Sequence, residues 1–260
     1  MLPLSRGFDT HFGYYLGLQD HLRHRAYGAY DFNDQGRIAT EVNGSWTAPL
    51  FASKAIDIIQ NHANATSPFF LYLAFQDVHW PLQAPQEYID RFKGQTGGDL
   101  KRQMVCAMAA HLDDAVGNVT TALKRSGLWE NTLIVFTSDN GGPTNGDEVT
   151  ASNNFPLRGG KNTLWQGGVR VPAIVRGPGV RSRSEPLEMK MHATDWLPTL
   201  VSMAANAQSQ DDWMKYMPHS DPPPIYGDGM NLWPLLQGML SVAYVMSSIA
   251  CGCNADNECR

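Results

Sequence analysis

"LKRQMVCAMAAHLDDAVGNVTTALKRSGLWENTLIVFTSDNGG" (residues 100 to 142) contains two periodicities and a change of chemistry. Met104, Met108, His111, Leu112, Ala115, Val119 and Leu123 recur every three or four residues, which predicts one amphipathic helix ended near Gly127. The run "TLIVFT" (132–137) then reads as a buried strand that gives way to Asp139, Asn140 and two glycines. Upstream, "FFLYLAF" (69–75) predicts a second buried strand, preceded by a helix at about 50–61. Downstream, "VPAIV" (171–175) predicts a third strand, and a helix opens near "TDWLPTLVSMA", with Thr194 as its cap and Pro198 in its first turn. Helix, strand, helix, strand, strand, helix makes an α/β layered domain with a mostly parallel sheet flanked by helices.

The 260 residues suffice for one large domain or two small ones, and an apolar fraction of 43% fits a globular chain. A formal charge of −5 with scattered basic residues offers no electrostatic footprint for nucleic acid or an anionic membrane. The longest apolar-leaning run, "MLSVAYVMSSIAC" (239–251), is well short of the ~20 residues that span a bilayer. The start lacks the features of a secretory signal, yet N-x-S/T sequons occur at Asn43, Asn64 and Asn118. Cys251, Cys253 and Cys259 crowd the tail without a fourth ligand, a pattern too poor for a closed zinc site. The polar, proline-rich stretch 208–229 reads as a long loop.

In an open α/β sheet, ligands bind outside the carboxyl ends of the strands. Asp139 and Asn140 follow one predicted strand and His79, in "QDVHWP", follows another, so topology brings the three to one crevice. Asp and Asn offer hard oxygens that suit calcium or magnesium, but calcium takes ~6 to 8 of them. The competing reading is an Asx-type turn, with Gly141 and Gly142 at positive φ. "NNFPLRGGKNTLWQGGVRVP" (153–172) is glycine-rich and carries Lys161, which suits an oxyanion or is simply a solvated loop lysine. Asp113 and Asp114, adjacent on a helix, point apart and read as a solvated face. His11, His21 and His24 read as loop residues, His192 as cleft rim or fold, and the tryptophans as core or loop anchors.

Six ordered stretches between residues 6 and 238 resemble the sulfatases, most nearly the branch of arylsulfatase B (the N-acetylgalactosamine-4-sulfatase) and arylsulfatases I and J. They are "RGFDTHFGYYLG", "LYLAFQDVHWPLQAPQEY", "AVGNVTTALKRSGLWENTLIVFTSDNGG", "NNFPLRGGKNTLWQGGVR", "HATDWLPTL" and "GDGMNLWPLLQG". The resemblance implies a sulfatase domain over 1–238 with an unmatched tail at 239–260, and an alkaline-phosphatase-like fold incomplete at its start. It also implies calcium-assisted cleavage of aryl sulfates or sulfated sugars. Asp139 and Asn140 resemble calcium ligands, while His79 and Lys161 resemble residues that contact the sulfate, His79 also serving as general acid. The family's formylglycine, made from a C-x-P-x-R cysteine, has no counterpart in these residues, and neither have the upstream paired aspartates of the calcium shell. Gln166 stands where the family commonly has glutamate.

The expectation is a hydrolase by family whose chain turns over negligibly by itself, because covalent catalysis lacks its nucleophile. A non-catalytic pseudo-sulfatase that binds sulfated glycans is the alternative, and a phosphate-ester relative a third. The family and the sequons imply the lysosome or extracellular space, with glycosylation at Asn43, Asn64 and Asn118; the missing signal implies otherwise. Oligomeric state is not legible.

Overall fold

The computed structural model describes residues 2–144, 148, 150–183, 185–206, 215 and 229–239. The chain forms two compact units, 1–174 and 175–260. Near the start lie five two-residue strands, β1 (Phe12–Gly13), β2 (Arg25–Ala26), β3 (Ala29–Tyr30), β4 (Asn33–Asp34) and β5 (Arg37–Ile38). Helices α1 (Thr47–Asn61), α2 (Gln86–Arg91) and α3 (Leu100–Arg125) follow, then β6 (Ile134–Thr137), α4 (Gln166–Val169) and β7 (Ala173–Arg176). The second unit contains α5 (Trp196–Ala204) and α6 (Trp233–Leu236).

Turn chemistry shapes the small sheets. Gln35 and Gly36 take φ of +52 and +78, which closes the β4–β5 hairpin with the twist its strands prefer. Order in that three-stranded sheet is β1-β4-β5, antiparallel throughout, with Phe12 opposite Asp34 and Asn33 opposite Ile38. β2 pairs antiparallel with β3, and β6 pairs with β7. A single mostly parallel sheet is not assembled among the described residues.

The long helix forms as its periodicity demands. Asp99 caps α3 by accepting from the Arg102 amide at 3.0 Å, and Lys124 and Arg125 occupy its negative end. Its buried face crosses α1 where Ala48, Ala52 and Ala115 let the helices approach, and Ile59, Ala122 and Leu123 extend the contact. A second face buries Ala107 and Met108 beneath α2 and Ala84. The aromatic cluster Phe32, Phe51 and Phe12 joins α1 to the antiparallel strands.

Residues 69–75 correct the expectation of a second buried strand, because no ladder forms there. Their side chains do alternate as a strand's would. Phe69, Leu73 and Phe75 pack on the α1–α3 core, while Phe70 and Tyr72 are 69% and 74% exposed. Alternating burial reveals a buried face but says nothing of backbone partners, and here none of the described backbone pairs with the segment. β6 is likewise less buried than expected, with Phe136 exposed at its end.

In the second unit the cap before α5 is not Thr194. His192 accepts from the Thr194 amide, and Asp195 accepts from the His192 amide at 2.7 Å and the Met230 amide at 2.8 Å. His192 therefore belongs to the fold there. The loop at 208–229, apart from Lys215 and Gly229, and the tail after Met239 lie outside the described residues.

Candidate active site

β6 delivers Ser138, Asp139 and Asn140 at its carboxyl end. Asp139 Oδ1 accepts from the Asn140 amide at 2.8 Å, and Asn140 Nδ2 donates to the Gly141 carbonyl at 3.0 Å. Those bonds use Asp139 Oδ1 and Asn140 Nδ2, not the hard oxygens Asp139 Oδ2 and Asn140 Oδ1. Gly141 and Gly142 do not take positive φ, so the glycines serve another purpose. A Cβ on Gly141 would lie 1.7 Å from the Gly167 carbonyl oxygen, and one on Gly160 would lie 2.6 Å from that of Gly142. Two backbone segments meet face to face, which only glycine permits.

Hydrogen bonds close that contact. The Gly141 amide donates to Gly168 at 2.9 Å, the Gly167 amide to Arg158 at 2.7 Å and the Lys161 amide to Gly142 at 3.2 Å. Asn154 fastens the same place, accepting from the Gly142 amide at 3.0 Å and donating to the carbonyls of Gly142 and Gly159 at 2.8 and 3.0 Å. Gln166 accepts from Arg170 at 3.3 Å, a bond that suits the amide oxygen as well as a carboxylate.

Lys161 Nζ lies 3.1 Å from His79 Nε2 and 2.7 Å from Glu148 Oε2. His79 Nδ1 lies 2.6 Å from the Trp80 carbonyl, which can only accept, so Nδ1 carries the hydrogen and Nε2 receives one from Lys161. Ammonium, imidazole and carboxylate thus form one partly exposed line. The structure brings His79 and Lys161 into contact across 82 residues of chain and ties Lys161 to the Asp139–Gly142 turn through backbone. Among the described residues, no three His, Cys, Asp or Glu side chains gather closely enough to hold a metal ion.

Several residues that shape this site had no distinct sequence signal. Glu148 stands in a polar loop, and Asn154 is one of two adjacent asparagines. Tyr14 is mostly buried, which pushes its phenol up to about 12, with the charges of Asp77, Asp31 and Asp139 acting in the same direction. His21, read as a plain loop residue, is fully buried and donates from Nε2 to the His79 carbonyl at 3.0 Å. His24 is buried too, but its Nε2 bonds the Val42 carbonyl within the fold. Asp114 is exposed and bonded to Tyr88 and Arg91, as a solvated helix face should be. Of the tryptophans, Trp233 is buried, while the half-exposed Trp165 carries Arg158 stacked 3.8 Å from its ring centre.

Residues 3–207 match the Sulfatase family. Arylsulfatase J of Mus musculus is 37% identical over 217 residues, covering 81% of this chain and 35% of the mouse protein. N-acetylgalactosamine-6-sulfatase of Mus musculus is 30% identical over 212 residues, covering 78% of this chain and 39% of that protein. The crystal structure of Ps i-CgsB in complex with k-i-k-neocarrahexaose superposes with a TM-score of 0.73 at 27% identity, over 90% of this chain and 51% of that one. The chain belongs to the sulfatase family, and it spans little more than a third of the length of those two mouse relatives.

Proposed function

We propose that this chain carries the sulfate-binding and proton-transfer part of a sulfuric ester hydrolase acting on sulfated sugars or aryl sulfates. The observation that carries the reading is the Lys161 ammonium set 3.1 Å from His79 Nε2 beside a turn of hard oxygen donors. Lys161 would turn from Glu148 to a sulfate oxygen and neutralise its charge. With Lys161 so engaged, His79 Nε2 is open, and a proton held there would pass to the ester oxygen when an attacking group, which these 260 residues do not supply, bonds to sulfur and displaces that oxygen. The Trp80 carbonyl keeps the ring oriented for that transfer.

Asp139 and Asn140 are the residues that would hold calcium, which supplies further charge neutralisation when bound. Their oxygens fit its preference for hard donors but supply only two or three of the ~6 to 8 it takes, so no step is assigned to it. The attacking group, formylglycine in the family, has no C-x-P-x-R precursor in these 260 residues, and turnover by the chain as it stands is expected to be negligible. An alkaline-phosphatase-like, mostly parallel sheet is the architecture this reading assumes.

The partly exposed position of the Lys161–His79 pair also suits a second reading, a non-catalytic domain that binds sulfated glycans through Lys161. A lysosomal or extracellular setting, with glycosylation at the exposed Asn43, Asn64 and Asn118, accompanies either reading. No helix among the described residues is long and apolar enough to cross a membrane. Assaying the purified chain with p-nitrocatechol sulfate, and separately for binding to chondroitin sulfate, tests both readings. Binding without hydrolysis is the expected result; hydrolysis would overturn the assignment of negligible turnover, and absence of binding would overturn the site.

A further inference from the structure

Two residues before His79, a carboxylate is buried with no hydrogen bond. The Asp77 side chain is 1% exposed, and neither of its oxygens has a hydrogen-bond partner among the described residues. His21 Nδ1 lies 3.8 Å from Oδ1 and His111 Nδ1 lies 3.8 Å from Oδ2, so two imidazoles flank one carboxylate. His111 projects from α3 and is braced by the edges of Tyr88, at 4.9 Å between ring centres, and Trp46, at 6.1 Å.

His21 links this cluster to the site. Its Nε2 donates to the His79 carbonyl at 3.0 Å, so a neutral ring would turn the Nδ1 lone pair toward Asp77. The Asp77 carboxylate faces that edge of the ring across the 3.8 Å gap. Burial lowers the His21 pKa, and the Asp77 charge works against that shift. The chain around His21 grips the His79 turn at both ends. Gln76 Nε2 donates to the Gln19 carbonyl, the His21 amide donates to Gln83 Oε1 at 2.9 Å and Gln83 Nε2 donates to Asp20 Oδ2 at 2.8 Å.

We propose that Asp77, held between His21 and His111, is a positioning residue for His79, acting through the hydrogen bond from His21 to the His79 carbonyl. The cluster touches no substrate. It fixes the turn that aims His79 Nε2 at Lys161, and so rests on the reading of that pair as the sulfate site.

Nitrogen-15 spectra of the imidazoles of the full chain, with His79 assigned by His79→Gln and inorganic sulfate as the probe, test the proposal. Wild type shows a His79 ring protonated at Nδ1. In His21→Leu, which removes the donor, that signature is lost and sulfate affinity falls at least about tenfold. His21→Gln, which keeps a donor of similar reach, restores both. Asp77→Asn, which keeps shape without charge, changes the His79 signal as well. A folded His21→Leu with unchanged His79 signal and affinity overturns the proposal, since a merely architectural cluster would alter only the melting temperature. Should His21→Leu not fold, Asp77→Asn decides: an unchanged His79 signal, or failure of that variant to fold as well, overturns the proposal. If wild type binds no sulfate while the His79 signal still responds to His21→Leu, positioning stands and the sulfate reading fails.

Discussion

Lys161 and His79 touch, yet the regions that deliver them are built on opposite principles. Around Lys161, backbone meets backbone: residues 139–142 and 158–168 are joined by amide-to-carbonyl bonds at glycines that leave no room for a Cβ. Around His79, side chains do the holding, with Gln76, Gln83 and His21 tying the turn to residues 19–21. The first construction tolerates no added volume. The second tolerates volume at its exposed positions but depends on polar partners.

The sharpest way to break this contrast is Gly141→Ala. Its new methyl group meets the Gly167 carbonyl, and a loss on the order of 3 kcal/mol in chemical denaturation is expected. Ile59→Ala, in the α1–α3 core both regions rest on, should cost about 2 to 4 kcal/mol in the same experiment. Gln83→Ala cuts two bonds of the side-chain clamp and should cost about 1 to 2 kcal/mol. Tyr72→Ser, on the exposed side of the 69–75 segment, should change stability by no more than about 0.5 kcal/mol. If Tyr72→Ser proves as damaging as Ile59→Ala, that side is buried after all.

Acid should loosen the side-chain region. Burial holds His21 and His24 below the ordinary histidine value of 6.5, so the folded state disfavours their protonation more than the unfolded state does. Stability from this source is complete above that value and is lost as pH falls from it toward the lowered folded values. The melting temperature should therefore drop as pH is lowered below 6.5. His24→Gln, which leaves the site untouched, should flatten that drop.

Legibility followed the same division. Helix α3 was readable from spacing, because a face that repeats every three or four residues has one physical solution, and α1 was expected at about 50–61. The turn at Asp139–Asn140 was marked by the abrupt end of an apolar run and Lys161 by a charge inside glycine-rich sequence, but those residues alone also fitted an Asx-type turn and a solvated lysine, and only the resemblance gave them roles. For residues 69–75 alternation was legible and pairing was not, since a ladder depends on a partner elsewhere. His21, Asp77 and His111 were invisible as a group: they stand 56 and 34 residues apart, and nothing local marks a carboxylate that will be buried between two imidazoles. Glu148 was equally unmarked, because its meaning comes wholly from the ammonium it meets.

Calorimetric titration of the chain with chondroitin sulfate, wild type against Lys161→Ala, tests the central claim most directly. Saturable binding that inorganic sulfate displaces, weakened about ten- to a hundredfold in Lys161→Ala with unchanged melting temperature, is the predicted result. Equal binding by the two proteins would contradict it.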